Sequence, residues 1–214
     1  MKRRIAIGDI HGCFDLLEIL VERIIRFRPD QDLLVFMGDY IDRGRDSREV
    51  VRYLTDVKEK HPDSIILLKG NHEDLAYKVL TAADPTKQMF FWGVNGGNDT
   101  VISFGGFENS RKELIPFISG LQLYYETDTH IFVHAGIPRG KDANTATPEE
   151  LLWDRDFSYN GKKTLVVGHT PKSSVAHFGN GKIICVDTGA YMTGILSGYD
   201  VINDKVYKAE KKKS

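Results

Sequence analysis

Gly8-Asp9-Ile10-His11-Gly12 sets a carboxylate and an imidazole two residues apart, between glycines that let the backbone turn sharply. Taken alone, such a pair is an ordinary loop feature that hydrogen-bonds itself. The chain offers more of the same chemistry in Gly38-Asp39-Tyr40-Ile41-Asp42-Arg43-Gly44, in Gly70-Asn71-His72-Glu73, and at His134 and His169. The steps from Asp9 to Asp39, Asn71, His134 and His169 are 30, 32, 63 and 35 residues, so only a fold can bring them together. Gathered without a cation, these groups would leave several desolvated charges and lone pairs unpaired, at several kcal/mol each. Imidazole mixed with carboxylate and amide oxygen suits Mn, Fe or Zn better than Ca or a thiolate-bound metal. Using all these donors takes two ions, and a shared Asp39 carboxylate would hold them about 3.5–4 Å apart, the separation that activates a bridging water and grips a phosphoryl group. The chemistry predicted from the residues is hydrolysis.

The elements needed to position these groups are legible as short apolar runs that end in polar loops: Arg4–Ile7, Leu33–Met37, Ile65–Lys69, His130–Val133, Thr164–Val167 and Ile183–Val186. Between the first three lie helical patterns. Asp15–Phe27 has apolar residues at Leu16, Leu17, Ile19, Leu20, Ile24 and Phe27, and Ser47–Lys60 has Val50, Val51, Leu54 and Val57. Glu73–Ala82 extends the third loop into a helix, and Thr193–Val201 with Lys205–Tyr207 predicts a terminal hairpin. The N-terminal half thus reads β-α-β-α-β. In α/β sheets the loops after the strands converge outside their carboxyl ends, which would turn the scattered groups into one constellation.

Composition narrows the function classes. The 214 residues are 41% hydrophobic and 28% charged, a globular mixture, and no repeat or Pro-rich linker divides them. Their net charge of −1 supplies no field for nucleic acid or an anionic membrane. Five Lys and one Glu in Lys205–Ser214 predict a short, solvated basic tail. The apolar run Ile5-Ala6-Ile7 is too short for a secretory signal, and no stretch approaches the roughly 20 apolar residues of a membrane span. Cys13 and Cys185 form no CxxC and no disulfide framework, so a cytoplasmic location is expected.

The series GDIHG, GDYIDRG, GNHE, HAG and GHT, running in this order from Gly8 to Thr170, resembles the phosphoprotein phosphatase branch of the calcineurin-like metallophosphoesterases. It is most similar to the small bacterial and phage lambda-type members, and Cys185-Val186-Asp187-Thr188-Gly189-Ala190 matches their closing strand and turn. The resemblance implies an α/β (α+β) four-layer fold, two mixed β-sheets in a sandwich flanked by helices, with residues 1–214 as one domain and 205–214 as its tail. It also implies a Mn-dependent phosphomonoesterase, with Fe or Zn as other candidate ions. Asp9, His11 and Asp39 would hold the first ion, and Asp39, Asn71, His134 and His169 the second. His72 would be the general acid, oriented by Asp42, while Arg43 and Arg155 of Trp153-Asp154-Arg155 would bind phosphate oxygens alongside Asn71 and His72. A phosphomonoester dianion needs fixed positive charge, and a guanidinium fork matches it.

The expected activity is removal of phosphate from phosphoserine or phosphothreonine in proteins, extending to phosphotyrosine, by direct attack of a metal-bridging hydroxide. The closest alternative is a symmetrical dinucleoside tetraphosphate hydrolase, whose motifs are shared. A phosphodiesterase or nuclease fits less well, because Arg43 and Arg155 suit a terminal phosphate and no basic patch tracks a nucleic-acid backbone. A metal-stabilised interaction module without turnover would need missing chemistry, and none is missing. The expected partner is a phosphoprotein or small phosphorylated substrate, met by a monomer. Glu73 is assigned to a supporting or helix-start role, Cys13 to packing, and His61, His130 and His177 to surface or strand packing. The segment Trp92–Gly97 is left between a loop at the site's mouth and an ordinary Asn-Gly turn.

Overall fold

A computed structural model describes residues 2–211. The strands are β1 (Arg3–Ile7), β2 (Asp32–Phe36), β3 (Ile65–Leu67), β4 (Tyr124–Glu126), β5 (His130–Val133), β6 (Thr164–Val167), β7 (Ala176–Phe178), β8 (Ile183–Cys185), β9 (Ile195–Asp200) and β10 (Lys205–Glu210). They form two five-stranded sheets, ordered β10-β9-β1-β2-β3 and β4-β5-β6-β8-β7. Within the first, β1, β2 and β3 run parallel and β9 lies antiparallel between β1 and β10; within the second, β5, β6 and β8 run parallel and β4 and β7 add antiparallel edges. Both are therefore mixed sheets, as expected.

Each central strand is apolar on both faces because each face is covered. Ala6, Val35 and Met37 from one sheet meet Phe132, Val166, Ile184 and Val186 from the other in the layer between them. The alternate residues Ile5, Ile7, Leu34 and Phe36 face outward against helices α1 (Phe14–Glu18), α2 (Ser47–Lys60), α3 (Asn71–Thr81) and α6 (Phe107–Ser119). On the far side, Ile131, Val133, Leu165 and Val167 pack under α7 (Pro148–Trp153) and its neighbouring loops. The register fixes function as well as packing. β1, β2, β3, β5, β6 and β8 all deliver their following loops to one end of the sandwich, and these loops carry Asp9, Asp39, Asn71, His134, His169 and Asp187.

The helix predicted over Asp15–Phe27 is α1 continued by a π-helical segment, Ile19–Ile25, which ends where Arg26 turns left-handed at φ 54°. The helix predicted from Glu73 begins two residues earlier, at Asn71, so the predicted ligand and acid are themselves its first turn. Two short edge strands, β4 and β7, carry too few apolar residues to be picked out by pattern. The predicted terminal hairpin is present, and it takes up the first part of the predicted basic tail, which needs a correction. Lys205–Glu210 is β10, paired along its whole length with β9. Its alternation puts Tyr207 and Ala209 in the helix-covered core while Val206, Lys208 and Glu210 face solvent, so its charges blunt an exposed sheet edge. Residues 212–214 of that tail lie outside the described residues. Among the described residues no helix is long and apolar enough to cross a membrane.

Candidate metal centre

The site loops are tight and strained. Of nine non-glycine residues with positive φ among the described residues, five are His11 (45°), Asp39 (53°), Asp42 (72°), Arg43 (70°) and His169 (62°). Each such conformation costs of order 1–3 kcal/mol and persists only where surrounding structure enforces it. Two glycines make the enforcement possible by allowing backbones to touch: a Cβ on Gly44 would collide with the His11 carbonyl, and one on Gly70 with the Asp39 carboxylate. Glu73 ties the loops together from below. Its buried carboxylate accepts backbone N–H bonds from Asp39 (2.8 Å), Gly70 (2.9 Å) and Tyr40 (2.8 Å). Burial and the neighbouring Asp39 push the Glu73 carboxyl up to about 8.

Asp39 lies at the centre. Its Oδ2 is 3.4 Å from His11 Nε2 and 4.0 Å from His72 Nε2, and its Oδ1 is 3.5 Å from His134 Nε2. Two buried groups share it: His11, Asp39 and His72, with ligand atoms within 4.8 Å of one another, and Asp39, His134 and His169 on the same criterion. Asn71 joins the second group, its Oδ1 being 2.9 Å from His134 Nε2. Burial pushes the Asp39 carboxyl up, and positive charge among the surrounding histidines, His134 and His72 first, pulls it below the usual carboxylate range. Burial lowers His11 to about 3 and His169 to about 2, and lowers His134 too, so all three offer lone pairs.

The tautomers follow from the outer bonds. His11 Nδ1 donates to the Ile41 carbonyl and His134 Nδ1 to that of Met37, each at 2.8 Å, which leaves both Nε2 atoms bare and facing Asp39. His169 Nε2 is buried with no hydrogen-bond partner among the described residues. Acceptors crowded against acceptors repel unless a cation lies among them, so the donor set fits divalent metal.

Asp9 falls outside these two compact groups but adjoins both Asp39 and His169. Its carboxylate accepts the His169 backbone N–H, at 3.0 Å to Oδ2 and 3.2 Å to Oδ1, and so braces the sixth-strand loop from the first. Burial, Asp187 and Asp39 push its carboxyl well above the usual range.

Beside this centre, His72 Nδ1 donates to Asp42 Oδ2 at 2.7 Å. Burial pulls the His72 imidazole down, but Asp39 and the Asp42 bond overcome it and hold it above its ordinary value. Asp42 is wholly buried and further held by Trp92 Nε1 (3.0 Å) and Thr100 Oγ1 (2.6 Å). Arg43 Nη1 donates to His11 Nε2 at 3.0 Å, and exposed Arg155 donates to the His169 carbonyl (3.0 Å) and Thr170 Oγ1 (3.2 Å). Among the described residues neither guanidinium pairs with a carboxylate, unlike Arg3, Arg23, Arg45, Arg48 and Arg52.

The ambiguity over Trp92–Gly97 resolves into a supporting wall. Trp92 ends α4 (Thr86–Trp92) fully buried behind Asp42, and the π-helical segment Gly93–Gly97 presses Gly96 on Arg43. Cys13 is buried, with its thiol pushed up to about 11 by burial, and His61 and His177 pack edge-on against Phe27 and Tyr199. Three neighbours were not singled out in the sequence. Thr100 gives no local signal. Asp187 ends a strand as Asp9 and Asp39 nearly do; its Oδ1 accepts the Gly189 N–H (2.7 Å), its buried Oδ2 has no partner, and burial raises it to about 6. Tyr191, in α8 (Ala190–Thr193), covers Arg43.

The calcineurin-like phosphoesterase family profile matches residues 2–201. Serine/threonine-protein phosphatase 2 of Salmonella typhimurium is 30% identical over 91% of this chain and 91% of its own. The asymmetrical bis(5'-nucleosyl)-tetraphosphatase PrpE of Bacillus subtilis is 26% identical over 90% of this chain and 88% of its own. In fold, the chain is similar to a crystal structure of a proposed diadenosine tetraphosphatase, with TM-score 0.74 and 19% identity over 100% of this chain and 95% of that one. With this profile spanning nearly its whole length, the chain belongs to the calcineurin-like metallophosphoesterases, hydrolases of phosphoesters.

Proposed function

We propose that this enzyme removes the phosphate of phosphoserine and phosphothreonine in proteins, acting as a single domain whose site draws loops from both sheets. The observation that carries the reading is the pair of guanidiniums, Arg43 and Arg155, left without carboxylate partners among the described residues and set beside a cluster of unprotonated imidazole nitrogens. Unneutralised guanidinium suits a terminal phosphate dianion. Asp9, His11 and Asp39 would hold one divalent ion, and Asp39, Asn71, His134 and His169 a second; their nitrogen and oxygen donors suit Mn2+. Bound there, the ions would supply Lewis-acid activation of the attacking water and of the phosphoryl oxygens.

The chain's own groups do the remaining work. His72 keeps a proton for the leaving alkoxide, and Asp42, fixed by Trp92 and Thr100, orients the ring and supports its positive charge. Cys13 is no rival nucleophile, since its thiol stays protonated and buried. Two buried free cysteines suit a reducing compartment, the cytoplasm. A second reading, hydrolysis of a dinucleoside polyphosphate, is favoured by the likeness to the Bacillus subtilis tetraphosphatase along nearly the whole chain. Side-by-side turnover of a phosphoserine peptide and diadenosine tetraphosphate after Mn loading decides between them. Higher kcat/KM on the peptide is expected; a preference for the dinucleotide overturns the phosphoprotein reading.

A further inference from the structure

Arg43 is held in an unusual way. A buried or half-buried guanidinium is commonly fixed by a carboxylate, which orients it but also cancels its charge. Here the backbone of Arg43 is left-handed (φ 70°), Gly96 presses on it, and its side chain has one polar partner among the described residues, His11 Nε2 at 3.0 Å. The open face of the guanidinium is covered by the ring of Tyr191, with Cζ 4.8 Å from the ring centroid. The same ring stands edge-on to His11 at 5.4 Å.

Tyr191 reaches this position from the other side of the site. It sits in a four-residue helix between two left-handed glycines, Gly189 (φ 66°) and Gly194 (φ 71°). That turn is pinned by Asp187 accepting the Gly189 N–H (2.7 Å) and by Thr193 Oγ1 donating to the Thr188 carbonyl (2.8 Å). The helix is too short to be stable alone, so these bonds and the contact with Arg43 fix its pose. Tyr191 is 37% exposed, which places it at the mouth rather than in the core.

We propose that Tyr191 is a positioning residue for phosphate: it orients the Arg43 guanidinium through its ring face and leaves the full charge and N–H fork free for the ligand. This rests on the assignment of Arg43 to phosphate. An aromatic face does what a carboxylate cannot, because its attraction for a cation survives without competing for the same N–H groups. The arrangement also outlasts metal binding. A cation on His11 Nε2 would use the lone pair that Arg43 now shares, and the Tyr191 ring would remain as the side-chain contact that keeps the guanidinium in place.

The test measures inhibition by inorganic phosphate, with KM and kcat, in the metal-loaded enzyme and in the variants Tyr191→Phe, Tyr191→Leu, Arg43→Ala and Arg43→Ala/Tyr191→Leu. Tyr191→Phe keeps the ring and is expected to match the parent. Tyr191→Leu keeps apolar cover without the ring's charge distribution, and should weaken phosphate about three- to tenfold, mainly in Ki and KM. On the Arg43→Ala background the same change should do nothing further. A melting curve for each variant separates misfolding from loss of positioning. If Arg43→Ala binds phosphate as the parent does, the phosphate assignment of Arg43 fails. If Arg43→Ala weakens phosphate while Tyr191→Leu leaves it unchanged, or if Tyr191→Leu costs the same with and without Arg43, the role of Tyr191 alone is overturned.

Discussion

At the residue scale the centre is organised by what each imidazole has on its outer nitrogen. A carbonyl on Nδ1 of His11 and His134 leaves a bare Nε2, whereas the Asp42 carboxylate on Nδ1 of His72 favours a protonated ring. The same side chain is thus suited to be ligand or acid according to its partner. If His72 protonates the leaving group, His72→Asn should reduce turnover of phosphoserine or phenyl phosphate by about 10²–10⁴-fold and that of nitrophenyl phosphate far less, because nitrophenolate leaves without a proton. Asp42→Asn should repeat the pattern more mildly. Equal losses across a leaving-group series would assign His72 to positioning instead. Asp39→Asn removes the charge shared by both buried groups, so elemental analysis should find metal lost along with activity. One ion per fully active parent monomer would contradict the two-ion assignment.

At the element scale, function is carried by loops that could not hold their shape alone. Asp42 takes its hydrogen bonds from Trp92 at the end of α4 and from Thr100 in α5 (Asn98–Ser103), so this helical segment fixes a carboxylate that belongs to the β2 loop. Trp92→Phe keeps most of the apolar volume and deletes the donor. Urea unfolding should register a loss of about 1.5–3 kcal/mol, the usual worth of a hydrogen bond to a charged group. An unchanged midpoint would mean that Trp92 contributes packing alone. Gly44→Ala should be worse tolerated than its small size suggests, because the new Cβ meets the His11 carbonyl, which is backbone and cannot swing aside. The expected result is a lowered melting temperature with weakened metal binding, since the displaced strand of loop carries His11.

At the scale of the whole molecule, the two sheets need each other because the centre takes His134 and His169 from one and Asp39 and Asn71 from the other. The C-terminal strand belongs to this architecture. Without β10, Tyr207 and Ala209 leave the helix-covered core and β9 becomes a bare edge. A chain ending at Asp204 should therefore unfold at lower temperature and aggregate, by melting and light scattering, while a chain ending at Lys211 should behave as the parent. Equal stability of the two chains would restore the view of residues 205–214 as a solvated tail.

The sequence by itself determined the chemistry and most of the order of the elements. Apolar runs ending in Asp9, Asp39, Asn71, His134 and His169 encode strands whose loops must meet, because burying both faces of such strands forces a covered sheet and a common loop end. Charge composition alone read residues 205–210, with three charged side chains, as part of a tail, whereas the hairpin predicted through Tyr207 is present, and period-two burial of Tyr207 and Ala209 carries its strand on to Glu210. Local pattern also could not reveal β4 and β7, which gain their hydrogen bonds from neighbours distant in sequence. Only the tertiary structure decided which groups touch. It set Asp9 against the His169 backbone, placed Trp92 and Thr100 behind Asp42, and laid Tyr191 over Arg43. Side-chain identity fixes what a group can do, but its partner is set by packing between segments, and no local stretch of chain carries that information.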